Sequence, residues 1–270
     1  MGEFVSDQFS RTAMLIGQEN IDKLKSRQVA VFGIGGVGGH CAEALCRSGI
    51  GAISLFDGDR VDITNINRQI IATHKTIGRD KVEVMRERLL EINPAADIRA
   101  HKLFYLSDTA DEVDLSTFDY IVDAVDTMAA KLELVCRATA MRVPVICSMG
   151  AANKLDPTAF KVADIYETSG CPIARIMRNE LRKRGVASLK VVFSTETPSK
   201  PLVSGSFSVD AVPASSEEAM KTASPPFGSQ PSIISDSPSR YRRNIPASNA
   251  FVPPVVGLIL AAEVVKDLIS

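Results

Sequence analysis

The sequence predicts an α/β protein: a Rossmann-like, doubly wound and mostly parallel sheet with an N-terminal helical lead-in and a smaller C-terminal mixed α/β extension. Two observations carry this prediction. Short apolar runs alternate with longer amphipathic stretches, which is typical of strand–helix–strand units. The segment "GIGGVG" lies between the first apolar run and the helix-like stretch that follows it, where nucleotide-binding folds have their glycine loop.

The elements follow in regular order over the first half of the chain. Residues 1–27 are predicted to form the helical lead-in. Five strands are predicted, the second ending at Asp57 and the fourth at Asp126: "QVAVFGI", "AISLFD", "DIRAHKL", "FDYIVDAVD" and "VPVICSMG". Three helices lie among them: "GGHCAEALCRSGI", "GRDKVEVMRERLLEINP" and "MAAKLELVCRATAMR".

The pattern changes after Ala151. "FKVADI" and "LKVVFST" predict two strands of a second, more antiparallel layer, with the helix "CPIARIMRNELRKRG" between them. Residues 197–249 are rich in Ser and Pro, so they are assigned to a long loop without regular structure. The final stretch, "AFVPPVVGLILAAEVVKDLIS", predicts a buried helix that begins after the proline pair. Its apolar part is shorter than the ~20 residues of a membrane span, so no membrane insertion is expected.

Composition argues against several kinds of partner and site. The net charge of -1 shows no global basic excess, so nucleic-acid binding requires a local patch. No two of the five cysteines form a CxxC pair, which argues against a cysteine-rich zinc site. Their odd number and the absence of a secretory leader predict a reducing, cytoplasmic location.

The glycine loop predicts a phosphate-binding site. Glycines let the backbone approach a phosphate, and the following helix N-terminus supplies free N–H groups. Asp57 ends the next strand about 20 residues later, where an acid binds ribose hydroxyls. On these residues alone NAD is the default ligand. The loop glycines are Gly33, Gly35, Gly36 and Gly38.

The polar segment after Asp57 favours a triphosphate over a dinucleotide. Arg68 offers a planar fork and Lys81 a point charge for phosphate oxygens, and Asn65 can hold ribose or phosphate. Asp126 is predicted at the carboxyl edge of the sheet, where a carboxylate beside a triphosphate is a natural Mg²⁺ ligand. The alternatives are surface charges for Arg68 and Lys81 and a helix N-cap for Asp126.

The motifs "GxGGVG", "DGD", "TNINRQ", "GRDKVE" and "VDAVDT" resemble those of the ubiquitin-activating-enzyme-like adenylyltransferases, the ThiF/MoeB/HesA superfamily. The resemblance spans roughly residues 10–150. It implies attack of a carboxylate on the α-phosphate of ATP, with the glycines at the phosphates and Asp57 at the ribose. It also implies that Asn65, Arg68 and Lys81 hold the triphosphate, and that Asp126 holds magnesium.

Within this superfamily the chain is most similar to the bacterial tRNA threonylcarbamoyladenosine dehydratases, through "GAANKLDPTAFKVADIYET", "CPIARIMRNELRKRGV" and "FVPPVVGLILAAEVVKDLI". The resemblance implies that ATP activates the threonyl carboxylate of a modified tRNA nucleoside, and that the side chain's own nitrogen closes a ring and expels AMP. It also implies a homodimer in which Arg11 reaches the partner's ATP site. A sulfur-relay protein is a further candidate partner.

This resemblance divides the chain into an adenylation core, residues 1–150, and a C-terminal part of the same fold with substrate- and tRNA-binding elements, residues 151–270. A basic helix face and the motif "SRYRRN" are candidate tRNA contacts. The alternative for these residues is a solvated charged surface. The helix residues are Arg175, Arg178, Arg182, Lys183 and Arg184.

Three other functions remain as hypotheses. An adenylyltransferase that activates the C-terminus of a ubiquitin-like sulfur carrier usually needs a cysteine. Some relatives have one just before the last helix, where this chain has Pro246 or Ala247. Because ring closure is intramolecular, no covalent relay is required, and Cys171 is expected to have no part in the reaction.

The two other hypotheses are a nucleotide-binding module without turnover and an NAD-dependent dehydrogenase. Both fit the retained charged residues less well.

Overall fold

A computed structural model describes residues 7–200, 202 and 246–270. In this part of the chain one sheet has seven strands in the order β3-β2-β1-β4-β5-β7-β6, and only β6 runs antiparallel to its neighbour. This confirms the doubly wound, mostly parallel sheet. The strands are β1 Gln28–Phe32, β2 Ala52–Phe56, β3 Asp97–His101, β4 Tyr120–Asp123, β5 Val145–Ser148, β6 Phe160–Asp164 and β7 Lys190–Ser194.

The helices of the described chain connect these strands or flank them. The N-terminal lead-in is two helices, separated at Gly17, whose φ of +88° favours glycine. The helices are α1 Ser10–Ile16, α2 Gln18–Lys25, α3 Gly38–Arg47, α4 Lys81–Ile92, α5 Met128–Ala140, α6 Pro172–Lys183 and α7 Val252–Ile269.

The central strand is buried on both faces. Val29 and Val31 of β1 pack into a core with α3, α4 and α7, whereas Ala30 and Phe32 pack on the opposite face with residues of α5. This burial explains why β1 is a continuous apolar run rather than an alternating one. At Gly257 of α7 a β-carbon would lie 2.3 Å from the carbonyl oxygen of Val37, so a glycine lets α7 pack against the start of α3.

The prediction of a second layer after Ala151 was wrong, although the C-terminal extension exists. β7 pairs parallel with β5, and β6 pairs antiparallel with β7, so both strands continue the main sheet. β5 and β7 are joined through β6 and α6. Because β5 and β7 are far apart along the chain, no local sequence pattern indicates that they pair.

Two element boundaries also differ from the predictions. β4 ends at Asp123 rather than Asp126, because its neighbour β1 ends at Phe32 and the chain turns away at Gly33. α7 begins at Val252, before the proline pair rather than after it. Proline is tolerated in the first turn of a helix, where its missing N–H has no intrahelical partner to lose.

The helices of the described chain include none that is long and apolar enough to cross a membrane. α7 has 18 residues, but Glu263, Lys266 and Asp267 lie in its second half.

Candidate active site

The glycine loop joins β1 to α3 in a tightly packed turn. Gly33 has φ +87°, and a β-carbon there would lie 2.7 Å from the carbonyl oxygen of Ala124. At Gly38 a β-carbon would lie 1.8 Å from the carbonyl oxygen of Gly33. At Gly35, in contrast, the nearest atom would be Nε2 of Gln69 at 3.9 Å. Gly33 and Gly38 therefore shape the loop, and Gly35 leaves open space beside the backbone for a ligand.

Asp57 connects the second strand to this loop. Its Oδ2 accepts a hydrogen bond from Ile34 N at 2.7 Å, and its Oδ1 accepts one from Asp59 N at 2.9 Å. Lys81 is buried beside it, 4.0 Å from the Asp57 carboxylate, and donates to Oδ2 of Asp59 at 2.8 Å. Burial raises the pKa of Asp57, against the opposing effects of Lys81 and the two amides. The structure thus brings the predicted ribose acid and the predicted phosphate-binding lysine together.

The turn that carries Asn65 and Arg68 lies over the glycine loop. Asn65 is buried, and its Oδ1 accepts a hydrogen bond from Asp62 N at 3.0 Å. Arg68 Nη1 donates to the Thr64 carbonyl and to Asn67 Oδ1, each at 2.9 Å. Burial lowers the pKa of Arg68, and its Cγ would lie 3.3 Å from a β-carbon on Gly36. Asn65 therefore shapes the turn that holds Arg68 at the loop.

Asp126 follows β4 at the carboxyl edge of the sheet. Its side chain is exposed, and Oδ1 accepts a hydrogen bond from Thr127 Oγ1 at 3.3 Å. Thr127, not Asp126, is the N-cap residue of α5. No three His, Cys, Asp or Glu side chains of the described chain form a metal cluster. A single exposed carboxylate fits a magnesium ion shared with phosphate oxygens, which commonly uses one or two carboxylates.

Sequence reasoning missed a buried ion pair behind Asp126. Lys131 of α5 donates to Asp123 Oδ2 at 2.9 Å and to the Ser148 carbonyl at 2.8 Å. Asp123 Oδ1 also accepts a hydrogen bond from Val125 N at 3.2 Å. The pair therefore joins β4, β5 and α5 and fixes the backbone that leads to Asp126. An Asp inside an apolar strand, followed eight residues later by a Lys among apolar helix residues, was the available signal.

The segment 246–251, which leads into α7, connects two loops at the same edge of the sheet. Ser248 O accepts a hydrogen bond from Asn67 Nδ2 at 3.1 Å, on the loop after β2. Asn249 Nδ2 donates to the Lys154 carbonyl at 2.7 Å, on the loop after β5. The segment therefore lies between the predicted triphosphate residues and the loop after β5, in which the sequence analysis named no site residue.

Arg11 lies away from this site. It is exposed on α1, which contacts the opposite, amino-terminal edge of the sheet: Phe9 packs at Gly49, just before β2, and Gln8 Nε2 donates to Asn93 Oδ1, before β3. A strand of five residues spans about 16 Å, more than an arginine side chain can reach. Arg11 therefore does not complete the ATP site of its own chain.

Most of the predicted tRNA-binding helix face is used within the chain. Arg178 donates to the carbonyl of Thr168. Arg182 lies over the Tyr166 ring at 5.3 Å. Lys183 and Arg184 both pair with Glu180 on the same helix. Arg175 is exposed and has no ion pair within the described ranges. The motif "SRYRRN", which the sequence analysis named as a second candidate tRNA contact, lies outside the described residues.

The five cysteines are free thiols in the described chain, and four are buried. Burial raises the pKa values of Cys41 and Cys147, which disfavours their thiolate forms. Cys171 precedes α6 and packs into the core with Met177 and Leu181. Enclosure of this kind is typical of a structural cysteine.

A comparison with protein-family models matches residues 9–270 to the ThiF family. The chain belongs to the ThiF family. The match includes the glycine loop, the Asp57–Lys81 contact and α7, so the family assignment covers both halves of the chain. It confirms the resemblance to ThiF-type adenylyltransferases described above.

Individual members of the ThiF family give a more specific comparison than the family model does. The chain is 42% identical to the tRNA threonylcarbamoyladenosine dehydratase of Bacillus subtilis over 97% of this chain and 95% of that protein. A crystal structure of the Escherichia coli enzyme in complex with AMP matches with a TM-score of 0.78 and 28% identity, covering 99% and 97% of the two chains. The same enzyme in complex with ATP matches with a TM-score of 0.76 and 27% identity, covering 98% and 96%.

Proposed function

We propose that this protein is an ATP-dependent tRNA threonylcarbamoyladenosine dehydratase. The observation that carries the proposal is the 42% identity to the Bacillus subtilis dehydratase over nearly the full length of both proteins. The site supports it, because the open backbone at Gly35, the Asp57 carboxylate and two cations lie where the fold binds a nucleotide. Residues 1–150 form the adenylation core, and residues 151–270 complete the substrate side.

The chain's own residues hold ATP from one side of the sheet. Asp57 accepts hydrogen bonds from the ribose, and the loop amides around Gly35 meet the phosphates. Arg68 and Lys81 supply positive charge to the triphosphate. Asp126 would hold magnesium, and that ion would supply positive charge to offset the negative charge of the triphosphate.

The reaction has two steps that balance without a redox partner. A threonyl carboxylate oxygen attacks the α-phosphorus, an O–P bond forms, and pyrophosphate leaves. The nucleophilic nitrogen of the same substituent then attacks the activated carbonyl carbon, loses its proton and expels AMP, which retains one carboxylate oxygen. The net change in the nucleoside is the loss of one water. Because the nucleophile is tethered to the acyl group, no cysteine relay is needed.

A homodimer completes the site in this proposal. Arg11, Met14 and Leu15 lie on one face of α1, and Met14 and Leu15 are 80% and 84% exposed. An exposed apolar face next to a cation that has no ion pair among the described residues is typical of a surface that meets another chain. A two-fold contact there would bring Arg11 to the partner's triphosphate.

The tRNA contact is a second part of the proposal. Arg175 and Arg182 are exposed on α6 and offer positive charge to the phosphate backbone. Arg178, Lys183 and Arg184 form hydrogen bonds or ion pairs inside the chain, and Arg182 also contacts the Tyr166 ring, so the predicted patch is smaller than the sequence indicated. A cytoplasmic location and an assisting sulfur-relay protein remain parts of the proposal that rest on the resemblance alone.

The proposal is tested by mass spectrometry of tRNA nucleosides after incubation of the protein with ATP and tRNA that carries threonylcarbamoyladenosine. The expected product is lighter than the substrate by one water, and it forms only with ATP. A reaction that instead adenylates the C-terminus of a ubiquitin-like sulfur carrier, with the nucleoside unchanged, would favour the alternative adenylyltransferase.

A further inference from the structure

Lys154 is a buried lysine without a counter-charge in the described chain. Only 3% of the residue is exposed. Within residues 7–200, 202 and 246–270, no carboxylate lies within ion-pair distance of its ammonium group, and no oxygen accepts a hydrogen bond from it. The two other buried lysines in these ranges are paired, Lys81 with Asp59 and Lys131 with Asp123. Burying an unpaired ammonium group is strongly unfavourable, so its retention calls for an anionic partner.

The ammonium group of Lys154 is not fully enclosed. The fully enclosed polar atoms without a partner, among the described residues, are Arg27 Nε, Gln69 Oε1 and Tyr105 OH. Lys154 Nζ also lacks a hydrogen-bond partner but is not among these atoms, so some of its surface contacts solvent.

The loop that carries Lys154 is held on both sides. Asn153 has φ +59°, an uncommon conformation for a residue with a side chain. Ala247 exchanges two hydrogen bonds with Asn153, and Asn249 Nδ2 donates to the Lys154 carbonyl. The carboxylate of Glu196 accepts hydrogen bonds from the next two backbone amides, at 2.9 and 3.1 Å. Together these hydrogen bonds restrain the loop and hold Lys154 in one position.

The fold places Lys154 on the side of the site that the nucleotide-binding residues leave free. The predicted ribose and phosphate residues follow β1 and β2, whereas Lys154 follows β5, and β4 with Asp126 lies between them. The segment 246–251 bridges the two sides, through Asn67 and through the Lys154 carbonyl. A second substrate must approach the α-phosphate from a direction that Arg68 and Lys81 do not occupy.

We propose that Lys154 binds the threonyl carboxylate of the substrate before it attacks ATP; this rests on the function proposed above. The carboxylate and the triphosphate are both anionic, so an ammonium group between them offsets their repulsion. The step needs no proton transfer, because the carboxylate oxygen forms the bond to phosphorus and pyrophosphate leaves with the bonding electrons. Lys154 thus selects a substituent that ends in a carboxylate.

The test compares Lys154→Met with Lys161→Met, a matched control at an exposed lysine on β6. Methionine preserves most of the buried stem and removes the charge. Three quantities are measured: the Kd of ATP without tRNA, the kcat and KM for tRNA that carries threonylcarbamoyladenosine, and the Kd of the same tRNA without that substituent. We expect at least about a tenfold fall in kcat/KM for Lys154→Met, with both Kd values within about twofold of the parent.

Each other outcome overturns the assignment. A tenfold weaker Kd for ATP would make the nucleotide phosphates the partner, and an equal loss for the unmodified tRNA would make a tRNA phosphate the partner. Unchanged kcat/KM would leave Lys154 without a role in substrate binding. The unfolding temperature of Lys154→Met should match or exceed the parent's, because an unpaired buried charge is removed, so lost activity would not reflect misfolding. If the parent protein itself does not convert the nucleoside, the result contradicts the proposed dehydratase function and not the role of Lys154.

Discussion

Lys131 and Asp123 form an ion pair in the interior, with Nζ and Oδ2 2.9 Å apart and the lysine 3% exposed. The ammonium group also donates to the Ser148 carbonyl. The pair therefore connects three elements that meet at the carboxyl edge of the sheet, directly behind Asp126. Removing one partner leaves the other charged and buried, which is costly.

Lys131→Met should lower the free energy of unfolding by about 3–5 kcal/mol, because Asp123 is left unpaired in the core. Urea unfolding measures the change, and Lys161→Met serves as the surface control, with an expected change within about 0.5 kcal/mol. A double variant, Lys131→Met with Asp123→Leu, should recover much of the loss. Equal stability of the single variant and the parent would show that the pair contributes nothing to the fold.

The glycines of the loop have two different roles, one in the fold and one in ligand binding. Gly38→Ala should destabilise the fold by about 3 kcal/mol, since its β-carbon would overlap the Gly33 carbonyl oxygen at 1.8 Å. Gly35→Ala should fold normally and bind ATP at least about tenfold more weakly, because its β-carbon would fill the open space beside the loop. Thermal unfolding and calorimetric titration with ATP distinguish the two effects.

Gly39→Ala is the matched control for the loop variants. Its β-carbon would lie 3.4 Å from Ile70 Cγ2, and alanine favours the helix by about 1 kcal/mol. ATP affinity should be unchanged. If Gly35→Ala retained full ATP affinity, the nucleotide phosphates would not pass beside Gly35.

Asp267 makes the stability of the C-terminal helix depend on pH. Burial opposes its ionisation, but Lys190 Nζ and Tyr120 OH both donate to Oδ2 at 2.7 Å and hold the pKa of Asp267 below its usual range. A carboxyl whose pKa is lowered in the folded state stabilises it above the unfolded-state pKa of about 3.9. That stabilisation is lost as the pH falls through the folded-state value.

The variant Asp267→Asn should therefore be less stable than the parent by about 1 kcal/mol at pH 6–7, with the difference shrinking below about pH 4. Urea unfolding across this range measures it. A difference that stayed constant down to pH 2 would assign the effect to packing rather than to the charge of Asp267.

Arg11 supplies a test of the shared active site. Arg11→Ala and Asp126→Ala chains should each be inactive alone, since each lacks one residue that the proposed reaction requires. A mixed dimer should recover up to about one normal site, because one of its two sites receives both intact residues. Light scattering confirms the dimer, and subunit exchange is followed separately. No recovery despite exchange, or an active monomer, would contradict an arginine that acts across the interface.

The sequence was sufficient to predict the first five strands in their order along the chain, and it named candidate nucleotide residues that follow these strands. The reason is local: "GIGGVG" needs a strand before it and a helix after it, and Asp57 and Asp126 follow apolar strands. The contact between Asp57 and Lys81 follows from that placement, because both residues begin segments at the same edge of the sheet.

The remaining features depend on contacts that are distant in the sequence. The pairing of β7 with β5, the role of Lys131 and the position of Lys154 beside Asn249 all join segments that no local pattern connects. Charge alone also misled the prediction for α6. Arg175, Arg178 and Arg182 have the helical spacing of a basic surface, but Arg178 donates to the Thr168 carbonyl ten residues earlier, a contact that forms only in the folded chain. Lys183 and Arg184 pair with Glu180 three and four residues earlier on the chain, a local pairing that the sequence analysis did not consider.

Oxygen-18 in the threonyl carboxylate of the tRNA substrate gives the most direct test of adenylation. If the carboxylate attacks the α-phosphate and ring closure then expels AMP, the AMP should contain one labelled oxygen per turnover, with pyrophosphate unlabelled. Mass spectrometry of the nucleotide products measures the label. Unlabelled AMP, or formation of ADP and phosphate in place of AMP and pyrophosphate, would contradict activation of the carboxylate as an adenylate.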